Sequence, residues 1–101
     1  MSKTVILSNN APAPIGPYSQ AILKGDTLFA SGQIAINPEN NELILSSIPE
    51  ETHQVMKNIS AVLKASNMTF DNIVKCSIFL SDMGNFNLVN EVYGSYFNLF
   101  K

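Results

Sequence analysis

Residues 47–67 read SIPEETHQVMKNISAVLKASN, and this stretch decides the fold because it carries the clearest helix pattern in the sequence. Ser47 and Glu50 predict a capping box, in which the Ser oxygen accepts a free backbone N–H and the Glu side chain reaches back. Pro49 is tolerated because the N–H groups of a first helical turn lack partners. Asn67 favours a left-handed conformation, so we expect the helix to stop there. The predicted apolar stripe has helical spacing and consists of Val55, Ile59, Val62 and Leu63.

Three short strands are predicted before this helix. Residues 4–7 form one apolar run, and residues 18–23 and 27–30 flank Gly25 as the two strands of a β-hairpin would, with Gly25 at a positive φ. The second hairpin strand is interrupted at Ser31-Gly32-Gln33. A glycine inside a strand pattern indicates either a β-bulge or a place where another group approaches the backbone closely.

A strand and a second helix are predicted after the long helix. Residues 73–80 alternate apolar and polar side chains, which predicts a half-buried strand with Cys76 on its inward face as a small hydrophobic residue. Asp82 can cap the second helix. The apolar stripe of that helix consists of Phe86, Val89, Tyr93 and Tyr96 or Phe97. The order β-β-β-α-β-α predicts an α+β fold with the helices on one face of a sheet.

Composition limits the classes of function that this chain can have. It has 101 residues, 46% hydrophobic and 14% charged, with a formal net charge of −2 and no Arg. That length predicts a single domain over residues 1–101. The apolar content argues against disorder, and the acidic balance argues against a dedicated nucleic-acid binder. The low charge favours a surface that is partly covered by another copy of the chain.

The sequence also bears on the compartment. One Cys cannot form an intrachain disulfide, which favours a reducing environment. The apolar run near the start is too short for a secretory segment, and no stretch has the roughly 20 apolar residues that a membrane span requires. We therefore expect a cytoplasmic protein without a membrane partner. An organellar location stays open, although no targeting segment is visible.

Five blocks of the sequence form an ordered series: residues 9–20 (NNAPAPIGPYSQ), 31–34 (SGQI), 54–58 (QVMKN), 74–83 (VK followed by FLSDM) and 86–97. Together they resemble the Rid family of reactive-intermediate imine/enamine deaminases, also called the endoribonuclease L-PSP or translation initiation inhibitor family. Five ordered blocks are a more specific signal than a single short motif.

The resemblance implies a chorismate-mutase-like α+β fold, with a mixed sheet and two helices on one face. It implies a homotrimer whose active sites lie in the clefts between subunits. The implied reaction is the hydrolysis of 2-imino acids, such as 2-iminobutanoate and 2-iminopropanoate, to 2-oxo acids and ammonia. The implied ligand is thus a small 2-imino or 2-oxo acid, and neither a cofactor nor a metal is implied.

By resemblance, the substrate-binding residues are Tyr18, Ser31, Gly32 and Asn90. Each also has a structural interpretation. Tyr18 could be an aromatic side chain that packs at a subunit boundary, Ser31 and Gly32 could form a bulge, and Asn90 could hydrogen-bond a neighbouring chain. One His, His53, cannot make a metal site. No residue of this sequence is carried over as the catalytic acid or base.

One part of the family pattern has no match in this sequence. Family members carry a Pro-Ala-Arg strand after the second helix, whose Arg pairs with the substrate carboxylate, and a last strand with a Glu that acts on the attacking water. These two strands are absent from the 101 residues, and a shortened protein and an incomplete polypeptide would both give this pattern. The alternatives to a deaminase are a non-catalytic trimer that binds a small metabolite and a ribonuclease or translational repressor. The acidic composition disfavours the latter.

Overall fold

The computed structural model describes residues 3–13 and 19–97 of the chain. Within these residues, five short strands precede two helices, and two single turns of 3₁₀-helix at Phe70–Asn72 and Met83–Asn85 lie between those helices. The strands are β1 (Thr4–Ile6), β2 (Ala21–Lys24), β3 (Thr27–Ala30), β4 (Ile36–Asn37) and β5 (Glu42–Leu43), and the helices are α1 (Ile48–Ala65) and α2 (Phe86–Gly94). The predicted α+β class is confirmed.

Strands β1, β2 and β3 form an antiparallel sheet in that order, and β4 and β5 form a separate antiparallel pair. Lys24 pairs with Thr27, so the hairpin between β2 and β3 has a two-residue loop. Gly25 has a φ of 60° in this loop. A positive φ at the first loop position is typical of the II′ turn, whose twist matches that of the flanking strands. The predicted hairpin is confirmed, while the described residues show only antiparallel pairing and no mixed sheet.

The two faces of the three-stranded sheet differ in what covers them. On the inner face, Ile6 and Ala21 are buried in one cluster with Val62 of α1. On the outer face, Val5 pairs with Ile22, which pairs with Phe29. Val5 is 61% exposed and Phe29 is 64% exposed. We call the row Val5, Ile22 and Phe29 the outer sheet face, and its two outer members are largely open to solvent in a single chain.

Helix α1 begins and ends as its local sequence predicts, with one difference. The Ser47 side chain accepts from the backbone N–H of Glu50 at 3.2 Å. The Glu50 carboxylate instead accepts from the Ser46 hydroxyl, so the second half of the predicted capping box is wrong. Asn67 has a φ of 58°. The N–H of Met68 donates to the carbonyl of Leu63, as in a Schellman motif, which confirms Asn67 as the stop.

The buried face of α1 is rotated slightly from the predicted stripe. Val62 and Leu63 are buried as expected, but the other buried residues are Met56 and Asn58, while Val55 and Ile59 are half-buried. Helix α2 packs against α1 and buries Val89 and Val92. The reason for the rotation is that α1 meets three elements, namely the sheet, β4 and α2, and a periodicity count registers only one apolar direction.

The predicted strand at residues 73–80 is wrong. No strand of the described sheets includes these residues. Val74 is 100% exposed and Phe79 is 94% exposed. Cys76, expected on a buried face, is exposed as well. An alternating pattern fixes which side chains would share a face, but a strand also needs a hydrogen-bonded neighbour, and the described residues supply none here.

The N-cap of α1 gives a test of local stability. Replacing Ser47 by Ala removes the acceptor for the Glu50 N–H, so we expect the free energy of unfolding to fall by about 1 kcal/mol. Ser60→Ala on the same helix is the matched control, because Ala is favourable inside a helix and should leave stability unchanged or slightly raised. Urea denaturation followed by circular dichroism measures both. Equal stability of the two variants would contradict the cap assignment.

Candidate functional site

Ser31 and Gly32 lie directly after the last residue of β3. The Ser31 N–H donates to the Gln20 carbonyl at 2.9 Å, which extends the β2–β3 pairing by one bond. The Ser31 hydroxyl donates to the Ser19 carbonyl at 2.5 Å. The hydroxyl hydrogen is therefore engaged within the chain, and a ligand could use only the oxygen lone pairs of this side chain. Strand β3 ends at Ala30, so Ser31 and Gly32 lie beyond the strand and not in a bulge within it.

Gly32 presents an open backbone. It is exposed, and a Cβ added to it would meet no atom of the described residues within 4 Å. Its φ does not lie in the left-handed region. Within residues 3–13 and 19–97, neither its N–H nor its C=O has a hydrogen-bond partner. Packing among the described residues thus does not require glycine here, and the Gly32 peptide groups, which have no partner among those residues, can bind a polar ligand.

The other two predicted site residues are placed less directly. Tyr18 lies outside the described residues. Asn90 is exposed on α2, next in sequence to buried Val89 and two residues before buried Val92. Across the described part of the chain, no hydrogen bond joins Asn90 to Ser31 or Gly32. A role for these residues in one site stays a prediction.

Gln20 is a residue near the site whose importance the sequence did not reveal. It is 2% exposed. Its Oε1 accepts from the Ser8 N–H at 2.5 Å, and its Nε2 lies 3.1 Å from the Ser8 carbonyl, 3.4 Å from that of Ala11 and 2.9 Å from that of Pro12. A Gln two residues after an expected site Tyr is a weak signal, because most Gln side chains are exposed.

Asn58 is the second such residue. Its side chain is fully buried, at 0% exposure. Its Nδ2 donates to the carbonyls of Ile34 and Ile36 at 3.0 and 2.9 Å, and its Oδ1 accepts from Gln54 at 3.0 Å. Asn58 therefore ties α1 to the segment that follows Gly32. The sequence signal for this burial was its spacing, because Asn58 lies three residues after Val55 and four before Val62 and so shares their face of the helix.

Three titratable side chains outside this region, His53, Tyr93 and Tyr96, have surroundings that indicate a packing role. His53 is exposed, and its Nδ1 lies 2.7 Å from the Tyr96 hydroxyl. Burial raises the pKa of Tyr96. Burial, followed by the neighbouring Cys76 side chain, raises the pKa of Tyr93. Among the described residues, no three His, Cys, Asp or Glu side chains come together as a metal site would require.

Comparison with known proteins identifies the family. The profile described as Endoribonuclease L-PSP matches residues 8–101. The chain belongs to the Rid/L-PSP family. A 2-iminobutanoate/2-iminopropanoate deaminase of Homo sapiens is 43% identical over 95 residues, which cover 94% of this chain and 69% of that protein. A RutC family protein of Pyrococcus horikoshii is 46% identical over 95 residues, or 94% of this chain and 75% of that one.

Solved structures of the family agree with the fold. A crystal structure from Yersinia pestis, described as a protein of unknown function of the conserved Rid family, superposes with a TM-score of 0.93 at 48% identity. The match covers 97% of this chain and 78% of that chain. Ser31, Gly32, Gln20 and Asn58 all lie within the matched family region. Neither α1 nor α2 is at once long and apolar enough to cross a membrane.

Proposed function

We propose that this protein hydrolyses small 2-imino acids, such as 2-iminobutanoate and 2-iminopropanoate, to 2-oxo acids and ammonia. Water adds to the carbon of the C=N bond, and the nitrogen leaves as ammonia after it takes up protons. Two observations support this: the 43% identity to a protein named as such a deaminase, and the open Gly32 backbone after β3. The single observation that carries the proposal is the relationship to the deaminase.

In this proposal, the backbone of Gly32 forms part of the substrate site. Its N–H and C=O have no hydrogen-bond partner within residues 3–13 and 19–97. The N–H can therefore donate to a substrate oxygen, and the C=O can accept from the imine or amine N–H. Fixed backbone dipoles of this kind stabilise developing charge without reorganising during the reaction. Because Gly32 has no Cβ, a planar ligand can lie directly against the peptide.

The protein is proposed to act as a homotrimer, with its sites between subunits. The outer sheet face supports this, because an apolar row on a sheet is typical of a surface that another chain covers. We propose a small 2-imino or 2-oxo acid as the ligand and not a nucleic acid. The sequence has six cationic side chains, all Lys and none adjacent to another, so it offers no basic stripe for phosphates.

A substitution at Gly32 tests the proposal. We generate the imine from 2-aminobutanoate with an amino-acid oxidase and catalase, and we follow the decay of the imine with protein and with buffer alone. We expect wild type to exceed the buffer rate, and Gly32→Ala to lower kcat/KM at least ten-fold while the midpoint of unfolding stays unchanged. The reason is that the added methyl group meets no atom of the described residues within 4 Å but occupies the space of the ligand.

Gly25→Ala is the matched control. Gly25 has a φ of 60°, so Ala there should lower stability by about 1 kcal/mol and leave kcat/KM unchanged. Wild-type protein that leaves the imine at its buffer rate would exclude the deaminase. If calorimetry then shows binding of 2-oxobutanoate, the protein is a metabolite-binding member of the family.

A further inference from the structure

The buried side chain of Gln20 joins two parts of the fold that meet beside Gly32. Its carboxamide holds the backbone of residues 8–12 through one accepted and up to three donated contacts. Its own carbonyl accepts the Ser31 N–H at 2.9 Å. Gln20 is thus fixed on one side by its side chain and holds Ser31 on the other side by its backbone.

A buried amide costs free energy unless its donors and acceptor are all satisfied, so its place is tightly determined. Here the Oε1 is matched to an N–H and the Nε2 to carbonyl oxygens only, which no carboxylate could reproduce. Within residues 3–13 and 19–97, the groups that hydrogen-bond the Gln20 side chain are all backbone groups, and no charged side chain is among them.

We propose that Gln20 is a positioning residue for imine hydrolysis: its carboxamide fixes the Gln20 backbone, which in turn sets the Ser31-Gly32 peptide against the substrate. This inference rests on the proposed function. Gln20 itself does not touch the substrate and acts through Ser31. A displacement of reacting groups by about 1 Å can cost on the order of a hundred-fold in rate, so a loss of this anchor is measurable.

The test is Gln20→Glu, assayed between pH 6 and pH 9.5. The carboxylate keeps the shape of the side chain but has no N–H, and it would face three carbonyl oxygens. We expect kcat/KM to fall at least ten-fold against wild type at the alkaline end. Because burial favours the neutral acid, whose O–H can donate to one carbonyl, we expect the deficit to shrink as the pH is lowered.

Two controls separate positioning from loss of stability. Leu63→Ala removes a buried apolar side chain of α1, which makes no hydrogen bond to residues 8–12. The kcat/KM of this variant relative to wild type should not vary with pH. Amide hydrogen exchange is the second readout. In Gln20→Glu at alkaline pH, the Ser31 amide should exchange at least ten-fold faster relative to the Val62 amide, whereas in Leu63→Ala this ratio should stay at the wild-type value.

The outcomes are distinguishable. Folded Gln20→Glu with wild-type kcat/KM across the pH range, in an active wild-type background, overturns the role of Gln20 and leaves the proposed function standing. If wild type itself is inactive, the proposed function fails. Independently of activity, a Ser31-to-Val62 exchange ratio in Gln20→Glu that equals the wild-type ratio would show that Gln20 does not position Ser31. If Gln20→Glu does not fold, Gln20→Asn takes its place: its amide is one methylene too short, and less than a five-fold loss of kcat/KM would overturn the inference.

Discussion

Asn58→Asp is expected to lower the free energy of unfolding by about 3–5 kcal/mol, because the substitution leaves a buried carboxylate without an opposite charge. The Nδ2 that donates to the carbonyls of Ile34 and Ile36 becomes an oxygen, which faces those carbonyl oxygens at the same 3.0 and 2.9 Å. Each of the two carbonyls also loses the donor that Asn58 supplies, although the Ile34 carbonyl still accepts from the Ile36 N–H. Small domains are stable by roughly 5–15 kcal/mol, so this loss is a large share of the total.

Guanidinium denaturation at pH 7, followed by circular dichroism, measures the effect. Asn72→Asp is the matched control: Asn72 is exposed and uses its Oδ1, which accepts from the Thr69 N–H at 2.9 Å, so the same chemical change keeps that bond. In the folded Asn58→Asp variant, burial should raise the pKa of the introduced carboxyl group above its unfolded value. Stability of that variant should therefore recover as the pH falls below neutrality. A difference under about 0.5 kcal/mol between the two variants would show that Asn58 is not an anchor.

The features that could be predicted from the sequence depend on few neighbouring residues. The Ser47 cap, the stop at Asn67 and the turn at Gly25 each follow from the chemistry of one to four consecutive positions. The structure gives all three the expected hydrogen bond or backbone angle. The family blocks added what local chemistry could not, namely the family's fold and the position of Gly32 in a matched region.

The features that could not be predicted from the sequence depend on partners that are distant in the sequence. Residues 73–80 alternate apolar and polar side chains as a strand does, but alternation does not specify which strand will pair with them. In the structure Val74 is fully exposed. The burial of the Gln20 amide depends on backbone carbonyls that lie 8 to 12 positions away in the sequence. The burial of the Asn58 amide depends on backbone carbonyls that lie 22 and 24 positions away. The sequence does not show where those carbonyls point. For the same reason, the relation of Asn90 to Gly32 could not be predicted from spacing.

Phe29→Lys is expected to abolish assembly, and with it the imine hydrolysis. Phe29 lies in the outer sheet face in one row with Ile22 and Val5, and it is 64% exposed in the single chain. If another subunit covers this row, the Lys ammonium is buried against apolar side chains at each equivalent interface, and such burial without a partner is strongly unfavourable. A single chain would tolerate the same Lys, because its charge would remain in water.

Sedimentation velocity and the imine assay together test this expectation. Wild type should sediment at about three times the 11.0 kDa of one chain, and Phe29→Lys at the mass of one chain. We expect at least a hundred-fold loss of kcat/KM, because the proposed sites between subunits would disappear with the interface. Leu45→Lys is the control, since Leu45 is 73% exposed in the segment before α1 and lies outside the sheet. A Phe29→Lys protein that stays trimeric would place the interface elsewhere, whereas a monomer with full activity would show that one chain contains the complete site.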